Sequence, residues 1–151
     1  MVFKGAEIMN LGFYVKSGNA EGVNGKIYMC LNQAIANGEL RDASVFFDNI
    51  DYNPVKTSFG MFNSTDIWHF TGNLVTTSVE TTVNALKAVN RFKLSYLYNA
   101  EDIDVLRLIT ISKNVDIITD SERDQEYVYR VTGKKPKLLE EFTVKGFSKV
   151  F

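Results

Sequence analysis

The chain's single His and single Trp stand side by side in STDIWHFTGN, Ser64 to Asn73. An imidazole titrates near neutral pH, so a lone His at a pocket rim is the first candidate for proton transfer or ligand contact. The segment runs from apolar residues into Thr71-Gly72-Asn73, which reads as a strand over 66–70 followed by a turn. On a strand, Trp68 and His69 point to opposite faces. Trp68 then belongs to the core, with its N–H on a partner. His69 is expected near the strand's carboxyl end, either as a packed histidine or as a site residue. With no second His and no cysteine pair, no metal is expected on the side chains, and no cofactor is assigned. Ser, His and carboxylates are all present, but the G-x-S-x-G elbow is missing and no catalytic residue is assigned.

A second stretch half-matches phosphate chemistry. AEGVNGK, Ala20 to Lys26, ends in the Gly-Lys of a P-loop but lacks its opening Gly, and Ile27 stands where Ser or Thr would hold magnesium. Nor is it G-x-G-x-x-G. Gly22 and Gly25 therefore read as positions needing backbone freedom. Cys30, the only cysteine, lies in GKIYMCLNQAI on a helical stripe and reads as packing. A lone cysteine makes no intrachain disulfide, so a stapled secreted fold is not expected.

The 151 residues, 45% hydrophobic and 13% aromatic, suit one domain with a sizeable core. A formal net charge of −1 gives no electrostatic reason to expect nucleic acid or an anionic membrane. The tightest basic group, Lys134-Lys135-Pro136-Lys137, reads as a solvated loop. No apolar run approaches the roughly 18 residues of a membrane span, and no signal peptide stands out, so a cytoplasmic location is expected. Met9 can serve as an internal start, which makes 1–9 an accessory arm of the single domain 1–151.

The elements that must position these residues alternate. Strands are expected at 11–15, 43–49, 59–62, 66–70, 93–98 and 115–119, with a last one in PKLLEEF. Helices are expected from Gly25 to Gly38, through TTSVETTVNALKAVNRF, through EDIDVLRLITISK and from Asp120 or Ser121 to Gly133. The second helix carries Val79, Val83, Leu86 and Val89 inward, with Thr77 or Ser78 as cap and Glu80 in the first turn. The third carries Ile103, Leu106 and Ile109 or Thr110 inward. Residues 143–151 receive no element. The strands are continuous apolar runs, as in a parallel sheet covered on both faces. The expected class is α/β: a three-layer sandwich with a Rossmann-like, doubly wound, mainly parallel sheet.

Such sheets bind ligands beyond the strands' carboxyl ends, where the winding reverses. The strand from Leu11 is expected beside the strand from Asp66. One crevice wall is then Gly18–Gly25, with Gly18, Asn19, Gly22, Asn24 and Gly25 as ligand candidates. The other is Thr71, Gly72 and Asn73, with His69 beneath. Both loops lead to helix N-termini, whose free N–H groups favour anions.

The second half, STDIWHFTGNLVTTSVETTVNALKAVNRFKLSYLYN and then NVDIITDSERDQEYVYRVTGKKPKLLEEF, resembles the N-terminal half of GT-B glycosyltransferases of the retaining, sucrose-synthase-like kind. Asp66-Ile67-Trp68-His69 stands at the family's DVVHxH, Leu94–Asn99 at its PLVYTxHN strand, and Val115–Glu122 at its ADxVIxxSE. The resemblance adds Asn99, Ser121 and Glu122 to the ligand candidates. It departs from the family in keeping one His of the pair, in EEFTV at the closing motif, and in lacking the second domain that holds the nucleotide-sugar donor. It therefore implies half of an enzyme. The small size, the Asn/Lys/Tyr/Phe usage and the solitary cysteine are similar in style to tailed-phage proteins, for which the location would be the host cytoplasm. Three readings stand in order. The first is a stand-alone binding or interaction domain with a small anionic, sugar or nucleotide ligand, a protein partner or a second copy. The second is a glycosyltransferase-like enzyme or subunit completed by another chain, and the third is a nucleotide-binding enzyme.

Overall fold

The computed structural model describes residues 10–88, 91–101 and 104–151. The expected arm 1–9 and the expected inward positions Val89 and Ile103 lie outside them. The strands are β1 (Leu11–Ser17), β2 (Ser44–Asn49), β3 (Gly60–Asn63), β4 (Thr71–Thr76), β5 (Arg91–Leu97), β6 (Asp116–Thr119) and β7 (Lys137–Leu138). The helices are α1 (Val23–Ala36), α2 (Val79–Leu86), α3 (Val105–Ile111), α4 (Glu122–Thr132) and α5 (Val144–Ser148), and a 3-10 helix spans Ser64–His69. The seven strands form one sheet in the order β3-β2-β1-β4-β5-β6-β7, and every pair is parallel. This is the doubly wound, Rossmann-like α/β arrangement.

Strand alternation builds the two covering layers. Phe13, Val15, Val45, Val75 and Ile118 face Ile27 and Leu31 of α1 and Phe147 of α5. Tyr14, Phe46, Leu74, Tyr96 and Ile117 face the opposite core, with Val79 and Ala85 of α2, Leu108 of α3 and Val128 of α4. Local chemistry ends the helices where expected. Ser78 caps α2 in a reciprocal box with Thr81, and Glu80 sits in the first turn. Ser121 accepts from Asp124 N at the start of α4, and Gly133 ends it at φ 76°.

Four expectations are corrected. Residues 64–69 are a 3-10 helix, not a strand, because Ile67 and Phe70 recur three apart and both are buried. The strand follows at Thr71–Thr76, and Gly72, read as a turn, lies inside it at φ 123°. The close passage of Asn10 requires this glycine: Asn73 N donates to Asn10 O at 2.9 Å, and a Cβ on Gly72 would collide with Asn10 O. In α3 the inward residues are Leu108 and Ile111, whereas Leu106 is 80% exposed. The unassigned tail holds α5, whose Phe147 is fully buried and meets the Phe13 ring edge-on at 5.4 Å.

Three elements are also tied by charge at their amino ends. Lys137 Nζ donates to Asp116 Oδ2 at 3.2 Å, while the Lys93 and Lys134 ammoniums lie 3.7 and 3.6 Å from the same carboxylate. Burial works to raise the Asp116 carboxyl, but the Lys137 hydrogen bond and the three lysine charges prevail and hold it below the ordinary carboxylate value.

Gly72→Ala should destabilise the protein by about 3 kcal/mol, from positive-φ strain and the Asn10 collision together; urea denaturation measures it. Because the Asp116 pKa is lower folded than unfolded, its contribution is complete above about pH 4. It is lost as pH falls through the depressed folded value. Stability against pH should therefore drop less steeply on the acid side in Asp116→Asn than in the parent protein.

Candidate functional site

The winding reverses between β1 and β4, which pair with Leu11 beside Asn73 and Tyr14 beside Thr76. β1 has β2 on its other side, and β4 has β5. Beyond the carboxyl ends of these strands lies a cleft of about 460 Å3, with Lys16, Asn19, Glu21 and Gly22 along one side and Thr77, Ser78, Asn99 and Glu101 along the other. A neighbouring cleft of about 300 Å3 shares Gly22, Val23, Asn99 and Glu101 and extends to Lys26, Tyr98, Asp120 and Asp124. The two form one trough along the carboxyl edge of the sheet.

The first wall is built by amides. Asn24 Nδ2 donates to Ser17 O at 2.9 Å and to Asn19 O and Asn19 Oδ1 at 3.2 Å. Asn19 Oδ1 also accepts from Glu21 N at 3.1 Å, and Asn19 Nδ2 donates to Asp51 Oδ2 at 3.0 Å. Asparagine suits this work because one side chain offers both donors and acceptors. Gly22 caps α1 at φ 57°, ψ −129° with no side-chain cap bond, and the first turn of α1 carries no acidic residue. Gly25 packs against the loop: a Cβ there would stand 2.7 Å from Ala20 O. The second wall begins in a buried hydroxyl pair, Thr76 Oγ1 and Thr82 Oγ1 at 2.6 Å, and Thr82 donates on to Ser78 O at 2.7 Å. Asn99 Oδ1 accepts from Glu101 N at 3.1 Å, which shapes the loop after β5.

Four carboxylates line the trough: Glu21, Glu101, Asp120 and Asp124. Among the described residues none of the four is in an ion pair, whereas Lys16 is engaged by Glu80 at 2.9 Å and Lys26 lies 5.9 Å over the Phe142 ring. The Tyr98 ring on its edge stacks with Tyr127 at 6.2 Å. The trough is thus rich in acceptors, with one aromatic face and an open helix N-terminus.

Several expected residues meet here. Asn19, Gly22, Asn24 and Asn99 line the trough. Gly18 is buried behind it, its N–H on Asn49 O at 3.0 Å. Gly25 supports the loop from below without lining the trough. Ser121 caps α4 next to Asp120, and Glu122 is exposed in the first turn of α4. The other expected wall is elsewhere. Thr71, Gly72 and Asn73 open β4 and therefore lie at the amino edge, the opposite end of the sheet from the trough. His69 ends the 3-10 helix at that same edge and is exposed, as is Trp68 at 51%. Neither packs in a strand or borders the crevice. The cause is the shift of the strand from 66–70 to 71–76, which moves the carboxyl end to Thr76. Thr77 and Ser78, read as helix caps in the segment 70–78 expected to flank the crevice, do line it, whereas Glu101, Asp120 and Asp124 were missed; the carboxylates after β5 and β6 were their signal. Cys30 is buried in α1, and burial, with Glu39 second, pushes its thiol up to about 11.

No family model, curated protein or solved structure matches this chain. Among the motif positions of the GT-B resemblance, Leu97, Tyr98, Asn99 and Asp120 line the trough, whereas Ser121, Glu122 and Asp66–His69 do not. No described helix is long and apolar enough to cross a membrane.

Asn24→Asp should remove the donor that joins three oxygens and set a carboxylate against them. The expected loss is about 2 kcal/mol, with faster amide hydrogen exchange over residues 17–22 and little change in β5 and β6. Equal exchange in both regions would show that Asn24 does not hold this loop.

Proposed function

We propose that this is a binding domain whose carboxyl-edge trough takes a neutral, hydroxyl-rich ligand, a sugar ring or a nucleoside. The observation that carries the reading is the set of Glu21, Glu101, Asp120 and Asp124, free of ion pairs among the described residues and arranged along the carboxyl edge of the sheet, from the loop after β1 to the start of α4. Carboxylates accept hydrogen bonds from hydroxyls, two at a time where geometry allows. They oppose a second negative charge, so of the ligand classes expected from sequence the sugar is favoured over the simple anion. Asn99 adds an amide that both donates and accepts, and the Tyr98–Tyr127 pair adds an aromatic face for a ring to pack on. The open N-terminus of α1 supplies backbone donors to a ligand oxygen. Binding is favoured over catalysis because the one His and the one Cys, the readiest base and nucleophile, both stand away from the trough.

Thermal denaturation with a panel of neutral monosaccharides, disaccharides and nucleosides tests this. A ligand at one hundred times its Kd adds about 2.7 kcal/mol of stability. Glu101→Gln combined with Asp120→Asn should remove most of that gain while leaving the unliganded protein folded. A gain that survives the double exchange would place the ligand elsewhere, and no gain across the panel would end the reading.

A further inference from the structure

The opposite end of the sheet carries the reverse charge. A cleft of about 350 Å3 opens at the amino ends of β5 and β6, lined by Lys93, Lys113, Asn114, Asp116 and Lys134 among others. The lysines come from separate elements: Lys93 from β5, Lys113 from just beyond α3, and Lys134 from just beyond α4. Lys137, the first residue of β7, reaches the same carboxylate.

One carboxylate here serves three ammoniums. Lys137, Lys134 and Lys93 lie 3.2, 3.6 and 3.7 Å from Asp116. They are therefore within about one Debye length of each other at physiological salt, roughly 8 Å, and their fields add. Of these three lysines, Lys137 hydrogen-bonds the carboxylate; Lys93 and Lys134 stand in ion-pair range without a hydrogen bond to it, because 3.6 Å or more is too long for one. Lys134 is fixed in place. Gly133 turns the chain at φ 76°, and Lys134 Nζ donates to Ser112 O and Val115 O, both at 3.2 Å. An ammonium has three donors, so one N–H of Lys134 remains after these two bonds. Lys113 has no carboxylate in ion-pair range among the described residues. Among the described residues, three positive charges against one negative leave a surplus of two, before Lys113 is counted. Lys134 and Lys137 belong to the basic group that the sequence reads as a solvated loop. The fold turns them back onto β6 instead.

We infer that this cleft binds a phosphate group of a small molecule, held by Lys93, Lys113 and Lys134. Lysine binds phosphate as a point charge with rotatable donors, and a doubly charged tetrahedral oxyanion matches the surplus. The donors converge on one cleft rather than lining an extended track, which favours a single phosphate group over a nucleic-acid backbone.

Tripolyphosphate titrated by calorimetry at low salt, with inorganic phosphate as competitor, tests the inference. One saturable site is expected, and inorganic phosphate should displace the probe. Lys93→Gln with Lys113→Gln should weaken binding by about tenfold or more. Asp116→Asn removes the competing anion and should tighten it several-fold; a merely structural ion-pair cluster predicts no such gain. Glu101→Gln, at the other end of the sheet, should leave it unchanged. Circular dichroism confirms folding, and the lysine pair, which is exposed, keeps the test decisive should Asp116→Asn unfold. Absence of a saturable site overturns the inference, as does equal weakening by Lys16→Gln with Lys26→Gln. It is also overturned if single-stranded oligonucleotides compete with an affinity that grows with their length, which would mark a nucleic-acid track.

Discussion

The parallel pairing of β1 with β4 is the constraint on which the rest of this structure depends. It makes the chain leave its first half, cross the sheet and resume on the far side of β1, so that α1 and α2 cover opposite faces. Gly72 permits it. The strand passes Asn10 so closely that no side chain fits, and Asn73 N takes the Asn10 carbonyl at the point of approach. Once β1 and β4 are joined, their carboxyl ends diverge into α1 and α2, and the trough is the gap between those departures. The site is a consequence of topology first and of side chains second.

What was legible in the sequence follows from how local each signal is. The α4 boundaries rest on Ser121 and Gly133, each acting within a few residues, and both were readable. Buried parallel strands are continuous apolar runs, so β1, β2, β5 and β6 were readable as well. The 64–76 region failed because its controlling contact is distant in sequence. Gly and Asn signal a turn when local preference decides; here Asn10 decides. Ile67 and Phe70 could have exposed the error, since spacing of three is helical and a strand would have placed them on opposite faces. The last strand expected in PKLLEEF is present as the two residues of β7, but the tail after it was unreadable for a related reason: α5 has five residues, too short for periodicity, and Phe147 is placed by packing on Phe13, which is distant in sequence.

Net charge hid the other half of the electrostatics. A value of −1 describes a chain whose two sheet edges differ in sign. Carboxylates after β1, β5 and β6 gather at the trough, and lysines at the starts of β5 and β7 and after α3 and α4 gather at the opposite end. In a parallel sheet every strand enters at one edge and leaves at the other. Residues just before strands therefore accumulate at the first edge, and residues just after them at the second. A scattered set of charges becomes two opposed fields once the strand direction is common.

That geometry gives Asp116 a role beyond its ion pairs. Three ammoniums brought together by strand direction repel one another, and a carboxylate among them lowers that cost. It lies among the ammoniums of Lys93, Lys134 and Lys137 and is part of the same charge cluster. Burial alone would raise the Asp116 carboxyl, and the lysine fields hold it down. One carboxylate is enough to hold the lysines and too little to neutralise them. The edge is thus stable without a bound anion and still attracts one, a balance set by the excess of lysines over carboxylates and not by any single contact.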